Sequence, residues 1–273
     1  MNDLHAPIAF IGGGNMASAI IGGLIQQGLA AAQVLVVEPF AEARRRLQQQ
    51  FGVAASEQAG PTLATAGLVV WAVKPQTFKE AAAAVKPHVA GALHLSVAAG
   101  IRSDSIAGWL GSERIVRSMP NTPALVGKGM TALFARAAVN AADRARVEQV
   151  IATTGESLWV DEEKQLDAVT ALSGSGPAYV FYFLEAMVRA GDEMGLSAEQ
   201  ARRLAVATFA GASELARASS EPLQVLRERV TSKGGTTYAA LTSLEEDKVK
   251  DAFVKALHAA CRRAEELGDE FGK

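Results

Sequence analysis

A single cysteine, Cys261, stands among the 273 residues. That excludes an intrachain disulfide and any cysteine-built metal cluster. Histidine is nearly as scarce: His5, His88, His94 and His258 are the four, and none lies in a motif. No Ser/His/Asp or Cys/His arrangement stands out, nor any metal-ligand spacing, so no metal site and no histidine base is expected. Long apolar runs are missing as well. A membrane span needs about 20 consecutive apolar residues, and the longest stretches fall far short of it. The segment from Met1 to Pro7 has no basic n-region of a targeting signal. Neither sign of charge dominates: 27 Lys and Arg against 29 Asp and Glu leave a net charge of −2. Such a balance offers nothing to nucleic acid or to an anionic membrane surface. The expectation is a cytoplasmic protein that acts on a small molecule.

What the chain does have is apolar residues, 49% of the total, and a length that suits one large domain or two ordinary ones. No internal repeat and no low-complexity linker is present. The organising stretch is Ile8-Ala9-Phe10-Ile11-Gly12-Gly13-Gly14-Asn15-Met16-Ala17. A short apolar strand meets a Gly-x-Gly-x-x-Ala turn, and a helical pattern follows over residues 18–27. Gly12 permits the tight turn, Gly14 lets backbone approach a pyrophosphate, and Ala17 lets the helix lie close to the strand. The helix N-terminus offers unpaired N–H groups and a partial positive charge to the phosphates.

The first half then alternates. Strands are predicted at Val34–Val37, 68–73, 93–98, Ile115–Met119, 130–134 and 158–160. Helices are predicted at 42–50, 78–85, Ser103–Leu110 and 141–153. Repeated βα units with short connections imply a parallel, doubly wound, Rossmann-like sheet over residues 1–161. Beyond Asp161 no convincing strand follows, which predicts an all-helical domain over 162–273. Residues 177–194 read as a helix, and its segment Tyr179-Val180-Phe181-Tyr182-Phe183-Leu184 is apolar on every face. Such a helix must be buried on every face, and a second copy of the chain is a natural cover. Ser197 with Gln200, and Ser243 with Glu246, each read as a capping box opening a helix, the second of them the last helix of the chain.

Four further stretches could carry chemistry. Glu38 closes the second strand, where an acid accepts the two ribose hydroxyls of an adenosine and favours NAD; a 2′-phosphate would be repelled unless Arg44, Arg45 and Arg46 neutralise it. Glu38 also reads as an ordinary solvated glutamate. Ala72-Val73-Lys74-Pro75 ends a central strand, the edge where ligands of open α/β sheets bind, although Lys74 itself reads equally as a solvated strand-end lysine. Leu172-Ser173-Gly174-Ser175-Gly176-Pro177 lacks the Gly-x-Ser-x-Gly order of a nucleophile elbow, and its small residues favour close packing over catalysis. Val230-Thr231-Ser232-Lys233-Gly234-Gly235-Thr236-Thr237 precedes a helical segment. Two glycines and several hydroxyls there form either a second anion site suited to a carboxylate or a plain capped turn.

Taken together these stretches resemble the pyrroline-5-carboxylate reductase family, nearly end to end. The resemblance rests on residues 10–17, on Ala72-Val73-Lys74-Pro75, on Met119-Pro120-Asn121-Thr122-Pro123, on residues 172–179 and on Val230 through Thr237. It implies a Rossmann-like N-terminal domain, a helical dimerisation domain, and a homo-oligomer that is a dimer or a ring of dimers. It implies reduction of 1-pyrroline-5-carboxylate to L-proline with NADP(H), NAD(H) being the other candidate. Gly12, Gly13, Gly14, Asn15, Met16 and Ala17 would hold the pyrophosphate, with Glu38 at the ribose. Ala72, Val73, Lys74, Pro75, Ala98 and Ala99 would border the second ribose and the nicotinamide. Val230, Ser232, Gly234, Gly235 and Thr236 would bind substrate, and Thr237, the catalytic position, would sit beside the imine nitrogen. Two departures stand out. Glu38-Pro39 replaces the small polar or arginine-containing motif of many relatives, and Ala59 occupies a place where some carry asparagine. A reductase of another cyclic imino or oxo acid would share the first half and differ at residues 232–237. A dinucleotide sensor on the same fold is the non-enzymatic alternative.

Overall fold

Strands that are buried along their whole length sit where a sheet is covered on both faces. Among the described residues three segments meet that condition, β1 (Ile8–Ile11), β4 (Leu68–Trp71) and β5 (Leu93–Ser96). The computed structural model describes residues 6–272, and it places those three side by side. In chain order the elements are β1, α1 (Asn15–Gln26), β2 (Val34–Val37), α2 (Ala41–Phe51), β3 (Ala55–Ser56), β4, α3 (Pro75–Val85), β5, α4 (Ser103–Leu110), β6 (Ile115–Met119), β7 (Gly129–Ala135), α5 (Ala141–Ile151) and β8 (Gly155–Trp159). The helices α6 (Gln165–Val169), α7 (Gly176–Glu193), α8 (Ala198–Ala218), α9 (Leu223–Arg229), α10 (Thr236–Glu246) and α11 (Val249–Phe271) complete it.

The eight-stranded sheet has the order β3-β2-β1-β4-β5-β6-β7-β8. The chain reverses its direction of growth between β1 and β4, which defines the switch point. Two apolar layers cover the faces. Ile8, Phe10, Ile20, Leu24, Leu47 and Leu95 belong to one, and Ala9, Ile11, Val69, Trp71, Phe78 and Ile106 to the other.

The wholly parallel sheet expected from the βα alternation needs one correction. β7 runs antiparallel to β6, while β8 pairs with β7 in parallel. A parallel partner needs a crossover of about a dozen residues or more, and Pro120–Lys128 is too short to supply one. The short strand β3, which the sequence pattern does not reveal, extends the edge beside β2.

Two compact units emerge. The first runs to Ser175 and resumes at Ala260; the second is Gly176–Ala259. The sheet itself ends at Trp159, but the units part at Ser175 and not at the expected residue 161, and the last turns of α11 belong to the first unit. The segment after Trp159 stays with the sheet because it is bonded there. Glu163 accepts from Ser103 N at 2.6 Å and pairs with Arg117 at 2.5 Å, and Asn121 donates to Ser173. Between α6 and α7 the chain makes a π turn, with Ser175 N donating to Thr170 O at 2.8 Å. In the second unit α7 lies so close to α8 that a Cβ on Gly191 would stand 2.7 Å from that of Ala201. Phe253 meets both Tyr179 and Phe183 edge-on at 5.6 Å. The Ser197–Gln200 capping box is formed. The second expected box is not: Ser243 and Glu246 lie inside α10, which starts seven residues earlier than Ser243, and the last helix starts at Val249.

One buried group ties this fold to pH. Trp71 Nε1 donates to His94 Nδ1 at 3.3 Å, and His94 is 2% exposed. Burial first, and the Arg114 charge second, lower its pKa from 6.5 to about 4. Between those values the unfolded chain takes up a proton that the folded chain refuses, so stability falls as pH falls through that window. The integrated loss is about 3 kcal/mol. Urea unfolding at pH 7 and pH 4 should show this component, and His94→Gln, which keeps an acceptor for Trp71, should lack it.

Candidate active site

The carboxyl ends of the central strands converge. Gly12 N donates to Val37 O at 2.8 Å, Glu38 N to Ser56 O at 2.9 Å, Ala72 N to Ile11 O at 2.8 Å and Val97 N to Trp71 O at 3.0 Å. These bonds continue the sheet for one residue past each strand. They bring Gly12, Glu38, Ala72 and the Ala98-Ala99 turn to one edge, at the switch point where such sheets bind ligands.

Gly12 takes φ +94°, and a Cβ there would lie 2.6 Å from the Ala72 carbonyl oxygen. No other residue type fits that turn. Gly14 is the extended N-cap of α1, without a side-chain cap, and a Cβ on it would meet nothing within 4 Å. The first-turn N–H groups, including those of Asn15 and Met16, therefore open onto free space, which fits a dinucleotide pyrophosphate. Ala17 is buried beneath them. Lys74 is exposed and serves as N-cap of α3, with Pro75 in the first helical position. The strand thus ends at Trp71, and Ala72-Val73 form the turn.

Glu38 is 6% exposed, not solvated. Its Oε2 accepts from Gly13 N at 2.7 Å and its Oε1 from Phe40 N at 2.8 Å. The carboxylate braces the glycine turn from below. Arg46 donates to Gly13 O at 3.1 Å and braces it from the side.

The Met119-Pro120-Asn121 loop has a clear role in the same unit. Asn121 Nδ2 donates to the backbone and hydroxyl oxygens of Ser173 at 3.3 and 3.1 Å, and Asn121 Oδ1 accepts from Met130 N at 2.9 Å. A Cβ on Gly174 would collide with the Met119 side chain. The small residues at 173–176 thus serve close packing, as their composition suggests.

In the second unit, residues 230–235 connect α9 to α10. Gly234 takes φ +74°, and Gly235 is the extended N-cap of α10 with no side-chain cap. Gly235 N donates to Ser232 O at 3.0 Å. Val230, Ser232, Gly234 and Thr236 are exposed, and Thr237 is half-buried in the first turn. Beside this loop an open cavity of about 540 Å³ is lined by Arg227, Thr231, Tyr238, Leu241 and Thr242, among others.

Sequence reading passed over Glu57, the partner of Arg44 at 3.0 Å, and Glu163, the partner of Arg117. No local signal marks them, because each partner lies at least 13 positions away. Asp167, also passed over, has its pKa raised by burial, against the lowering effect of Arg102 and Arg117.

A glycine turn at the switch point of a Rossmann-like sheet, followed by a separate helical unit, defines a two-domain nicotinamide-dinucleotide oxidoreductase. Residues 163–267 match the family described as pyrroline-5-carboxylate reductase dimerisation, and residues 7–100 the one described as NADP oxidoreductase, coenzyme F420-dependent. The pyrroline-5-carboxylate reductase of Pseudomonas aeruginosa is 44% identical over 97% of this chain and 98% of its own. A reductase structure from Coxiella burnetii superposes with a TM-score of 0.89 at 37% identity, covering 96% of this chain and 98% of that one. The Plasmodium falciparum enzyme, solved with NADP bound, gives 0.86 at 30% identity, covering 97% and 98%. The chain belongs to the pyrroline-5-carboxylate reductase family. Among the described residues no helix is long and apolar enough to cross a membrane.

Proposed function

We propose that this chain reduces 1-pyrroline-5-carboxylate to L-proline, the closing step of proline biosynthesis, with NADPH as the reductant. The observation that carries this reading is the loop 230–237 on the uncapped N-terminus of α10, standing in a chain whose sheet unit carries an open glycine turn. A bound nicotinamide supplies a hydride to the imine carbon, and the nitrogen carries the balancing proton. The residues of the chain bind and orient. Gly12 and Gly13, whose N–H groups are bonded to Val37 O and Glu38 Oε2, shape the turn, and the N–H groups from Gly14 through Ala17 are offered to the pyrophosphate. Ala72, Val73 and the Ala98-Ala99 turn border the reactive end of the cofactor. Gly234 and Gly235 let backbone N–H groups converge on the substrate carboxylate, with Ser232, Thr236 and the exposed Val230 around it. Thr237 places its hydroxyl at the imine nitrogen.

Steady-state kinetics on pyrroline-5-carboxylate with NADPH and with NADH test the reading, and an inert purified protein overturns it. Thr237→Ala separates orientation from acid catalysis. A neutral hydrogen bond is worth about 0.5–1.5 kcal/mol, a loss of roughly 2- to 13-fold in kcat/KM. A general acid would cost about 10²–10⁴-fold. The expected loss is the smaller one.

We further read the helical unit as the surface through which the chain forms a homodimer, on which larger rings can build. Phe181, Tyr182, Leu204, Leu223 and Val254 are exposed on it, an apolar area that a single copy leaves to water. Light scattering should find the full chain dimeric or larger at micromolar concentration, and Phe181→Asp should shift it toward monomer. A monomeric full chain overturns this reading.

A further inference from the structure

At the carboxyl ends of β2 and β3, one arginine spans the backbone of one acid, Glu38, and the carboxylate of another, Glu57. Glu38 is turned inward, with one oxygen on Gly13 N and the other on Phe40 N, so the brace already engages both. Arg44, from the first turns of α2, lies across the same segment. Its Nη1 donates to the carbonyl oxygens of Glu38 at 2.9 Å and Pro39 at 2.7 Å. Its Nη2 donates outward to Glu57 Oε2 at 3.0 Å. The Arg44 side chain is 22% exposed and that of Glu57 is 64% exposed. The guanidinium is thus fixed by two backbone carbonyls, while the acid on its outer edge is held only by an exposed pair, which is weak.

In a sheet of this topology the adenosine ribose lies off the carboxyl end of the second strand. An acid there meets a free 2′-hydroxyl, and an arginine there meets a 2′-phosphate. We propose that Arg44 is the anchor for the 2′-phosphate of NADPH and that Glu57 is the acid the phosphate displaces. This pair, rather than Glu38, then sets the choice between NADPH and NADH. The inference rests on the reductase reading above. A dianionic phosphate outcompetes a single carboxylate for a guanidinium, and the fork of Arg44 presents its donors in a fixed plane. With Arg44 standing over the Glu38-Pro39 backbone, the corner carries a cation on its open side and the carboxylate on its buried side.

Titration of the full-length protein with NADPH and with NADH, without substrate and followed by calorimetry, tests this. Arg44→Ala should weaken NADPH by about 10- to 100-fold and leave NADH within about twofold. Arg44→Lys should fall between, since it keeps the charge and loses the fork. Glu57→Gln removes the competitor from an exposed position that the fold does not depend on, and should tighten NADPH by about 2- to 5-fold. Arg45→Ala, a neighbouring exposed charge on α2, should change neither affinity. The anchor is overturned if Arg44→Ala weakens both dinucleotides alike, if Glu57→Gln leaves NADPH unchanged, or if Arg45→Ala carries the loss. Wild-type protein that binds neither dinucleotide overturns the reductase reading and the anchor with it. Binding of both with a ratio that no Arg44 variant moves overturns the anchor alone.

Discussion

Gly235→Val should raise KM for pyrroline-5-carboxylate by about 100-fold or more, with dinucleotide affinity nearly unchanged. Gly235 is the N-cap of α10, where the first-turn N–H groups lack a side-chain cap. A Cβ on it would stand 2.5 Å from Ser232 Oγ and 3.2 Å from Ser232 O. The branched side chain would push the serine hydroxyl aside and shield the N–H groups that are to receive the carboxylate. Hydrogen bonds to a charged group are worth about 1.5–3 kcal/mol each, so losing two of them gives the stated factor. The backbone at Gly235 has φ −84°, which valine tolerates, so the variant should fold. The residues proposed to hold the cofactor lie in the sheet unit, and NADPH binding measured without substrate is the control. An unchanged KM in a folded variant would mean that the substrate carboxylate is held elsewhere.

Gly12→Ala should damage both stability and dinucleotide binding, whereas Gly14→Ala should damage binding alone. At Gly12 the new Cβ meets the Ala72 carbonyl at 2.6 Å and Val73 Cγ1 at 3.2 Å, and φ is +94°. Backbone of that kind costs a residue with a side chain about 1–3 kcal/mol, before the Ala72-Val73 turn is displaced. We propose that turn as the border of the cofactor, so affinity should fall by about tenfold or more, the equivalent of 1.4 kcal/mol. At Gly14 the backbone has φ −72° and the space is open. Alanine there leaves denaturant unfolding as it was, and its methyl group occupies the approach of the pyrophosphate. Two variants that both bind NADPH like the parent would show that this turn holds no pyrophosphate.

Signals that act within a few residues were legible in the sequence. The bounds of Ser103–Leu110 and Ile115–Met119 follow from the apolar pattern. The Ser197–Gln200 box forms because its two partners are three residues apart. The glycine turn is legible for the same reason, since the needs of Gly12 and Gly14 are set by the adjoining strand and helix. The same local logic fails at Ser243 and Glu246. The spacing is right, but α10 has already begun at Thr236, and a residue inside a helix has no orphan N–H to cap.

Other features depend on what the chain meets after long separation, and only the tertiary structure decides them. The direction of β7 is set by a connection too short to cross over. The first unit keeps residues 162–175 because Glu163 reaches Ser103 and Arg117, 60 and 46 positions away. Glu38 stands in the sequence as a strand-end acid facing a ribose. In the fold it turns beneath Gly13, 25 positions back, because a buried carboxylate must find donors and the glycine turn supplies one. The sequence by itself therefore determined that a glycine turn joins β1 to α1 and that a glycine-rich loop opens α10, since each is a local backbone requirement. Which charges surround them was decided only in three dimensions, because charge pairing follows distance in space and not separation along the chain.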